Sequence, residues 1–103
     1  MEIKINETES LINVDLKGRL DTAAAQEIGE QLLPLQDKAE KTIVLDCSEM
    51  TYISSSGLRI FLTLRKAAAV KGGKVIIRNI NDDIRSVFMM TGFLNLFEIE
   101  TAR

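Results

Sequence analysis

Three consecutive serines, Ser54, Ser55 and Ser56, followed by Gly57, stand between two apolar runs, "TIVLD" and "GLRIFLTLRKAAA". A serine at such a junction can accept a hydrogen bond from the N–H two or three residues on and so start a helix. Glycine there permits a tight strand-to-helix turn. The alternative is that one of the hydroxyls is the functional group of the protein. The serine cluster alone is compatible with either.

Two carboxylates offer a second chemistry. Asp21 and Asp46 each follow a strand-like run. If both strands end there, the two could meet at one rim of a sheet and hold Mg²⁺, or each could cap a helix. Cys47 has no basic neighbour in sequence to lower its pKa, so it reads as a packed thiol rather than a nucleophile. As the single cysteine it forms no internal disulfide and builds no cysteine-based zinc site. Histidine, the commonest general base, does not occur. Neither G-x-x-x-x-G-K nor G-x-G-x-x-G is present to cradle phosphates. Met89 and Met90 read as core with some surface rather than as a functional stripe.

The elements that must position these residues follow from periodicity. Ile3 and Ile5 alternate with Glu2, Lys4 and Asn6, and Ile12, Val14 and Leu16 alternate with Asn13, Asp15 and Lys17. With a turn at Glu9-Ser10 they predict an antiparallel hairpin. The period then changes: Ala25, Ile28, Leu32 and Leu35 recur at helical spacing, with Asp21 or Thr22 as cap and an end at Leu33 before Pro34. "TIVLD" reads as a central strand covered on both faces. A second helix runs from about Ser56 to Lys71 and stops at Gly72-Gly73. "KVIIRN" is the next strand. Asn81 caps a third helix with Asp82 and Asp83 in its first turn, a buried stripe of Ile84, Val87, Phe88 and Thr91, and a stop at Gly92. Phe97 and Ile99 mark the last strand.

The order is β-β-α-β-α-β-α-β. Parallel crossovers are right-handed almost without exception, so strands added in one direction put all three helices on one face. The fold class is α/β: a mixed five-stranded sheet with helices packed on one face, in a single domain over residues 1–103. The charge balance of 13 basic against 15 acidic residues gives −2, and the cations are spread along the chain. That argues against nucleic acid as a partner. No apolar stretch approaches membrane-spanning length and no signal-like segment opens the chain, so a cytoplasmic protein without membrane insertion is expected.

The residues around the serines are similar to those of a known family. "LDCSEMTYISSSGLRIFL" resembles the segment in which STAS family members, named for sulfate transporters and anti-sigma factor antagonists, run from Asp-x-Ser to Asp-Ser-Ser-Gly-Leu. Asp46 and Ser48 match the first part, and Ser55, Ser56, Gly57 and Leu58 the second. "KGRLDTAAAQEI" looks like the family's Gly-x-Leu-Asp segment, with Gly18, Leu20 and Asp21 in place. "KGGKVIIRNI" and "MMTGFLNLFEI" resemble its later segments, in the same order.

The resemblance implies a STAS-like fold and an interaction module rather than an enzyme, with no cofactor. Small stand-alone members are anti-sigma factor antagonists. Their partner is an anti-sigma factor that is also a serine kinase and inactivates them on the serine two positions before the glycine; a serine phosphatase restores them. By position that serine is Ser55, with Ser54 and Ser56 as rival acceptors. The implied partner-binding residues are Asp21, Thr51, Tyr52, Ser54, Ser56, Gly57, Arg59 and Thr63, on a loop from Glu49 to Ser54 and the start of the second helix. The chain departs from the family at Ser54, where Asp is usual, and at Arg59, where many relatives have glycine. It also ends soon after the last strand, so the family's usual final helix is expected to be short or absent. Two other readings stay open. One is an unphosphorylated STAS subunit of a stressosome or of a lipid-transport ABC complex. The other is an enzyme or nucleotide-binding protein that uses Asp21, Asp46 and a metal.

Overall fold

A computed structural model describes residues 1–100 of the chain. The sheet is built from β1 (Glu2–Glu7), β2 (Leu11–Leu20), β3 (Thr42–Ile53), β4 (Lys74–Arg78) and β5 (Glu98–Glu100), in that spatial order. β1 and β2 form the expected antiparallel hairpin, and β2 to β5 run parallel. The crossovers are α1 (Thr22–Leu32), α2 (Ser55–Lys71) and α3 (Asp82–Thr91). All step across the sheet in one direction, so a common hand places all three on one face. The mixed five-stranded α/β sheet is therefore as the periodicity predicts. The expectation about a final helix falls on residues 101–103, outside the described residues.

Core packing follows the apolar positions. Ile12, Val14 and Leu16 of β2 and Ile43, Leu45 and Cys47 of β3 face the helices and are buried. α2 lies over them with Leu58, Phe61, Leu64 and Ala68, a helical stripe. Burying Phe61 completely contributes about 2–3 kcal/mol. α1 ends at Leu32, and Pro34 turns the chain into a short 3₁₀ helix, Leu33–Lys38, that still buries Leu35.

Several expectations are corrected. Helices do not cover both faces of β3: Val44 and Ile76, paired across β3 and β4, are buried on the open face, outside the helix-packed cluster. Their register neighbours Asn13 and Glu98 are polar, so the apolar pair is a small island. Ile5 is exposed on edge strand β1. Thr91 is exposed at the end of α3 and donates its hydroxyl to Val87 O at 2.8 Å. Met89 and Met90 are 62% and 83% exposed, because the buried stripe of α3 runs through Ile84 and Phe88 and misses both.

The hairpin is tied to the 3₁₀ turn by charge. Glu7, at the end of β1, accepts from Lys38 Nζ at 2.8 Å and from Lys41 Nζ at 2.6 Å. Hydrogen bonds from these ammonium groups pull its carboxyl from 4.5 down to about 2. A carboxyl more acidic folded than unfolded stabilises the fold fully above pH about 4.5, and that contribution disappears as pH falls through about 2. The pairs are solvent-exposed, so salt weakens them. Side-chain carbon NMR should find Glu7 titrating near pH 2. A midpoint at the ordinary glutamate value would show that the clamp does not hold in solution.

Candidate functional site

Parallel strands point their C-terminal ends to one rim, and there all three helices begin. Asp21, Ser54 and Asn81 are their N-caps. Asp21 Oδ1 accepts from Ala24 N–H at 2.9 Å, and Asn81 Oδ1 from Ile84 N–H at 2.8 Å. The junction between β3 and α2 is at the middle of this rim.

The three serines have different surroundings. Ser54 is the cap and is only 9% exposed. Its Oγ accepts from Gly57 N–H at 3.2 Å, its N–H donates to Leu20 O at 2.9 Å, and its carbonyl accepts from Leu58 N–H at 3.0 Å. Ser55 is the first residue of α2 and is exposed. Ser56 is half-buried and lines a groove of about 370 Å³ with Thr22, Ala25 and Gln26 of α1 and Arg59, Ile60 and Thr63 of α2. Gly57 sits against the core. A Cβ built there would lie 2.7 Å from Leu20 Cγ and 2.9 Å from Ile53 Cγ1, so a side chain at this position would push α2 off the sheet.

The segment expected to be a loop, Glu49 to Ser54, is strand as far as Ile53. β3 stays paired with β2 to the last register pair, Leu20 with Ile53. Two residues of this stretch, Met50 and Ile53, point inward and are buried, while Glu49, Thr51 and Tyr52 are exposed. The implied docking surface is therefore a strand end plus a helix start. Thr51, Tyr52, Ser55, Arg59 and Thr63 are exposed on it, with Ser56 and Asp21 half-buried. Ser54 and Gly57 are buried in the isolated chain, one used as the cap and the other as a packing point.

Arg19 was missed in the sequence. It pairs in register with Tyr52, and its guanidinium lies 4.3 Å from the centre of the Tyr52 ring. An exposed cation–π stack of this kind is worth about 0.5–1 kcal/mol. The available signal was position: Arg19 lies between Gly18 and Leu20 of the hairpin strand, and an inward Leu20 sends Arg19 outward.

Asp21 and Asp46 do not meet. Asp46 lies in the middle of β3, paired with Asp15 and Arg78, seven residues before Ile53 at the rim. At about 3.3 Å per residue that is roughly 20 Å along the strand. Asp46 accepts from Ser48 N–H at 3.0 Å, and Asp21 is used as a cap. No group of three or more potential metal ligands occurs among the described residues. Cys47 is buried facing the helices, and desolvation, with a smaller contribution from Asp46, pushes its thiol up to about 12. It stays protonated at neutral pH, so thiol reagents should label it only after unfolding. Labelling of the native chain at the rate of a free thiol would contradict that burial.

The STAS domain profile matches residues 2–103. The chain belongs to the STAS domain family. BtrV of Bordetella bronchiseptica is 29% identical to this STAS chain over 103 residues, which is 100% of this chain and 89% of that one. The anti-sigma-B factor antagonist of Bacillus subtilis is 26% identical over 100 residues, covering 96% of this chain and 90% of its own. Among solved structures, the anti-sigma factor antagonist SpoIIAA in its unphosphorylated form superposes with a TM-score of 0.77 at 19% identity, covering 99% of this chain and 90% of that one. Its phosphorylated form gives 0.77 at 20%, covering 99% and 92%. The structural likeness carries the STAS fold. No helix among the described residues is long and apolar enough to cross a membrane.

Proposed function

We propose that this STAS chain is an anti-sigma factor antagonist switched by phosphorylation of Ser55. The observation that carries the reading is the division of labour at the start of α2. Ser54 is buried and engaged as the cap, whereas Ser55 is exposed on a rim with Thr51, Tyr52, Arg59 and Thr63. The name of the Bacillus subtilis relative and the phosphorylated form known for SpoIIAA support it. Ser54 stands where the family carries Asp. Both residue types are strong N-caps, so that departure leaves the start of the helix intact.

Unmodified, the rim docks on an anti-sigma factor and so releases a sigma factor. That partner, acting as an ATP-dependent serine kinase, ends the interaction. The Ser55 Oγ attacks the γ-phosphorus of ATP, the new O–P bond forms as the bond to ADP breaks, and the hydroxyl proton passes to a base on the kinase. A phosphatase reverses the state with water: the P–O bond to Ser55 breaks, inorganic phosphate leaves, and Oγ regains a proton. The chain supplies the acceptor and the surface and performs no catalysis of its own. A cytoplasmic setting goes with this role.

The direct test is incubation with the cognate kinase and ATP, followed by peptide mass spectrometry. Phosphate on Ser55 is expected. Phosphate on Ser54 or Ser56 alone would overturn the assignment.

A further inference from the structure

We propose that Arg59 is an in-chain clamp for the modified state, closing on a phosphate carried by Ser55 one helical turn away. The inference rests on the reading of Ser55 as the acceptor and adds what holds the product. Ser55 and Arg59 are four residues apart on α2, so their side chains share one face. Helical side chains lean toward the N-terminus, and a long one covers the turn before its own Cα. For Arg59 that turn is Ser55 and Ser56, and Arg59 and Ser56 line the same groove.

The arginine is uncommitted. Arg59 is exposed, and its guanidinium makes no hydrogen bond or ion pair among the described residues. Only its backbone is engaged, the carbonyl accepting from Thr63 Oγ1 at 2.9 Å. Three other arginines are occupied: Arg19 over Tyr52, Arg65 on Leu96 O, and Arg78 on Glu100. No carboxylate competes nearby on the same element, since the first turn of α2 contains no acidic residue. The wall of α1 that faces Arg59 is Thr22, Ala25 and Gln26, all uncharged. Other charged groups near the helix starts include Arg19 and Asp21 at the end of β2, Glu27 of α1, Glu49 of β3, and Asp82, Asp83 and Arg85 in the first turn of α3.

A guanidinium matches phosphate oxygens with two parallel N–H donors, which an ammonium cannot do. Closing on the phosphate would also commit the Arg59 charge, which lies on the same docking surface. Phosphorylation would thus both add a dianion and remove a cation that an acidic partner group could use.

The test installs phosphoserine at position 55 by genetic incorporation, without a kinase, in the otherwise native chain and in Arg59→Gln and Arg59→Lys chains. Phosphorus NMR then reads the second phosphate pKa, about 6 when unpaired. In the native chain it should fall below that value, and Arg59→Gln should raise it by roughly half a unit, because an opposite charge nearby favours the dianion. Arg59→Lys should be intermediate. Phosphatase should release phosphate from the Arg59→Gln chain several-fold faster than from the native one. Identical titrations and release rates in all three would overturn the clamp. Because no kinase is involved, that result would leave Ser55 as the acceptor; only the phosphate mapping speaks to that.

Discussion

Phosphorylation of Ser55 should weaken the complex with the anti-sigma factor at least about a hundredfold, while the isolated chain keeps its fold. The reasons are separable. Ser55 is exposed and its hydroxyl makes no hydrogen bond among the described residues, so a phosphate there displaces nothing that holds the domain together. It adds about −1.5 to −2 charges at a helix start whose free N–H groups and dipole tolerate anions. Inside a docked surface the same dianion must lose water. Two factors of ten in affinity correspond to about 2.7 kcal/mol, within the several kcal/mol needed to desolvate a dianion that one arginine only partly neutralises. Titration calorimetry with the purified partner reads the affinity, and far-UV circular dichroism reads the fold. Ser55→Ala should bind as the unmodified chain does, and Ser55→Asp should bind more weakly. Equal affinities for Ser55→Ala and Ser55→Asp, together with an unchanged affinity after phosphorylation, would remove charge at Ser55 from the mechanism.

Most of the scaffold around that serine was legible because its signals are local. Alternation in Ile12, Val14 and Leu16 gives the strand, Asp21 and Asn81 give helix starts, and Gly72 and Gly92 give stops. The end of β3 was not legible, for a reason visible in the register. Between Asp15 and Lys17 β2 advances two residues while β3 advances three, from Asp46 to Glu49. Between Gly18 and Arg19 it advances one while β3 advances two, from Met50 to Tyr52. Each irregularity places an extra residue on β3. The inward residues Cys47, Met50 and Ile53 consequently fall at a spacing of three. A strand search expecting a period of two reads such a stretch as loop. The same irregularity makes the strand look finished at Asp46, where a carboxylate could meet Asp21, although β3 runs on to Ile53. The order of the three serines was unreadable for a different reason. Which of them caps the helix depends on where β3 stops, and one residue of shift exchanges a buried hydroxyl for an exposed one.

The register also fixes where the fold tolerates least, and this gives the largest stability effect expected from a single methyl group. Gly72 and Gly73 close α2 together, but for unlike reasons. Gly72 has φ 81°, the left-handed region, and a Cβ there would meet nothing within 4 Å. Its replacement by alanine should cost about 1–2 kcal/mol, the left-handed strain alone. Gly73 is the tighter of the two. A Cβ there would lie 1.9 Å from Ala39 O and 2.7 Å from Lys41 O, both backbone atoms that no rotamer change can move. Those carbonyls belong to the turn that leads into β3, whose first register pair with β4 is Thr42 with Lys74. Gly73→Ala must therefore pry β4 from β3 or break the turn. A cost of about 3 kcal/mol or more is expected, above the usual range for overpacking. For a domain of this size that is a large part of a total of roughly 5–15 kcal/mol. Urea unfolding of the two variants side by side should show Gly73→Ala far below Gly72→Ala in midpoint, or unfolded in buffer. Equal midpoints would mean that the turn at Ala39 to Lys41 moves aside freely, and that the close approach of α2 to this turn contributes little to holding the sheet in register.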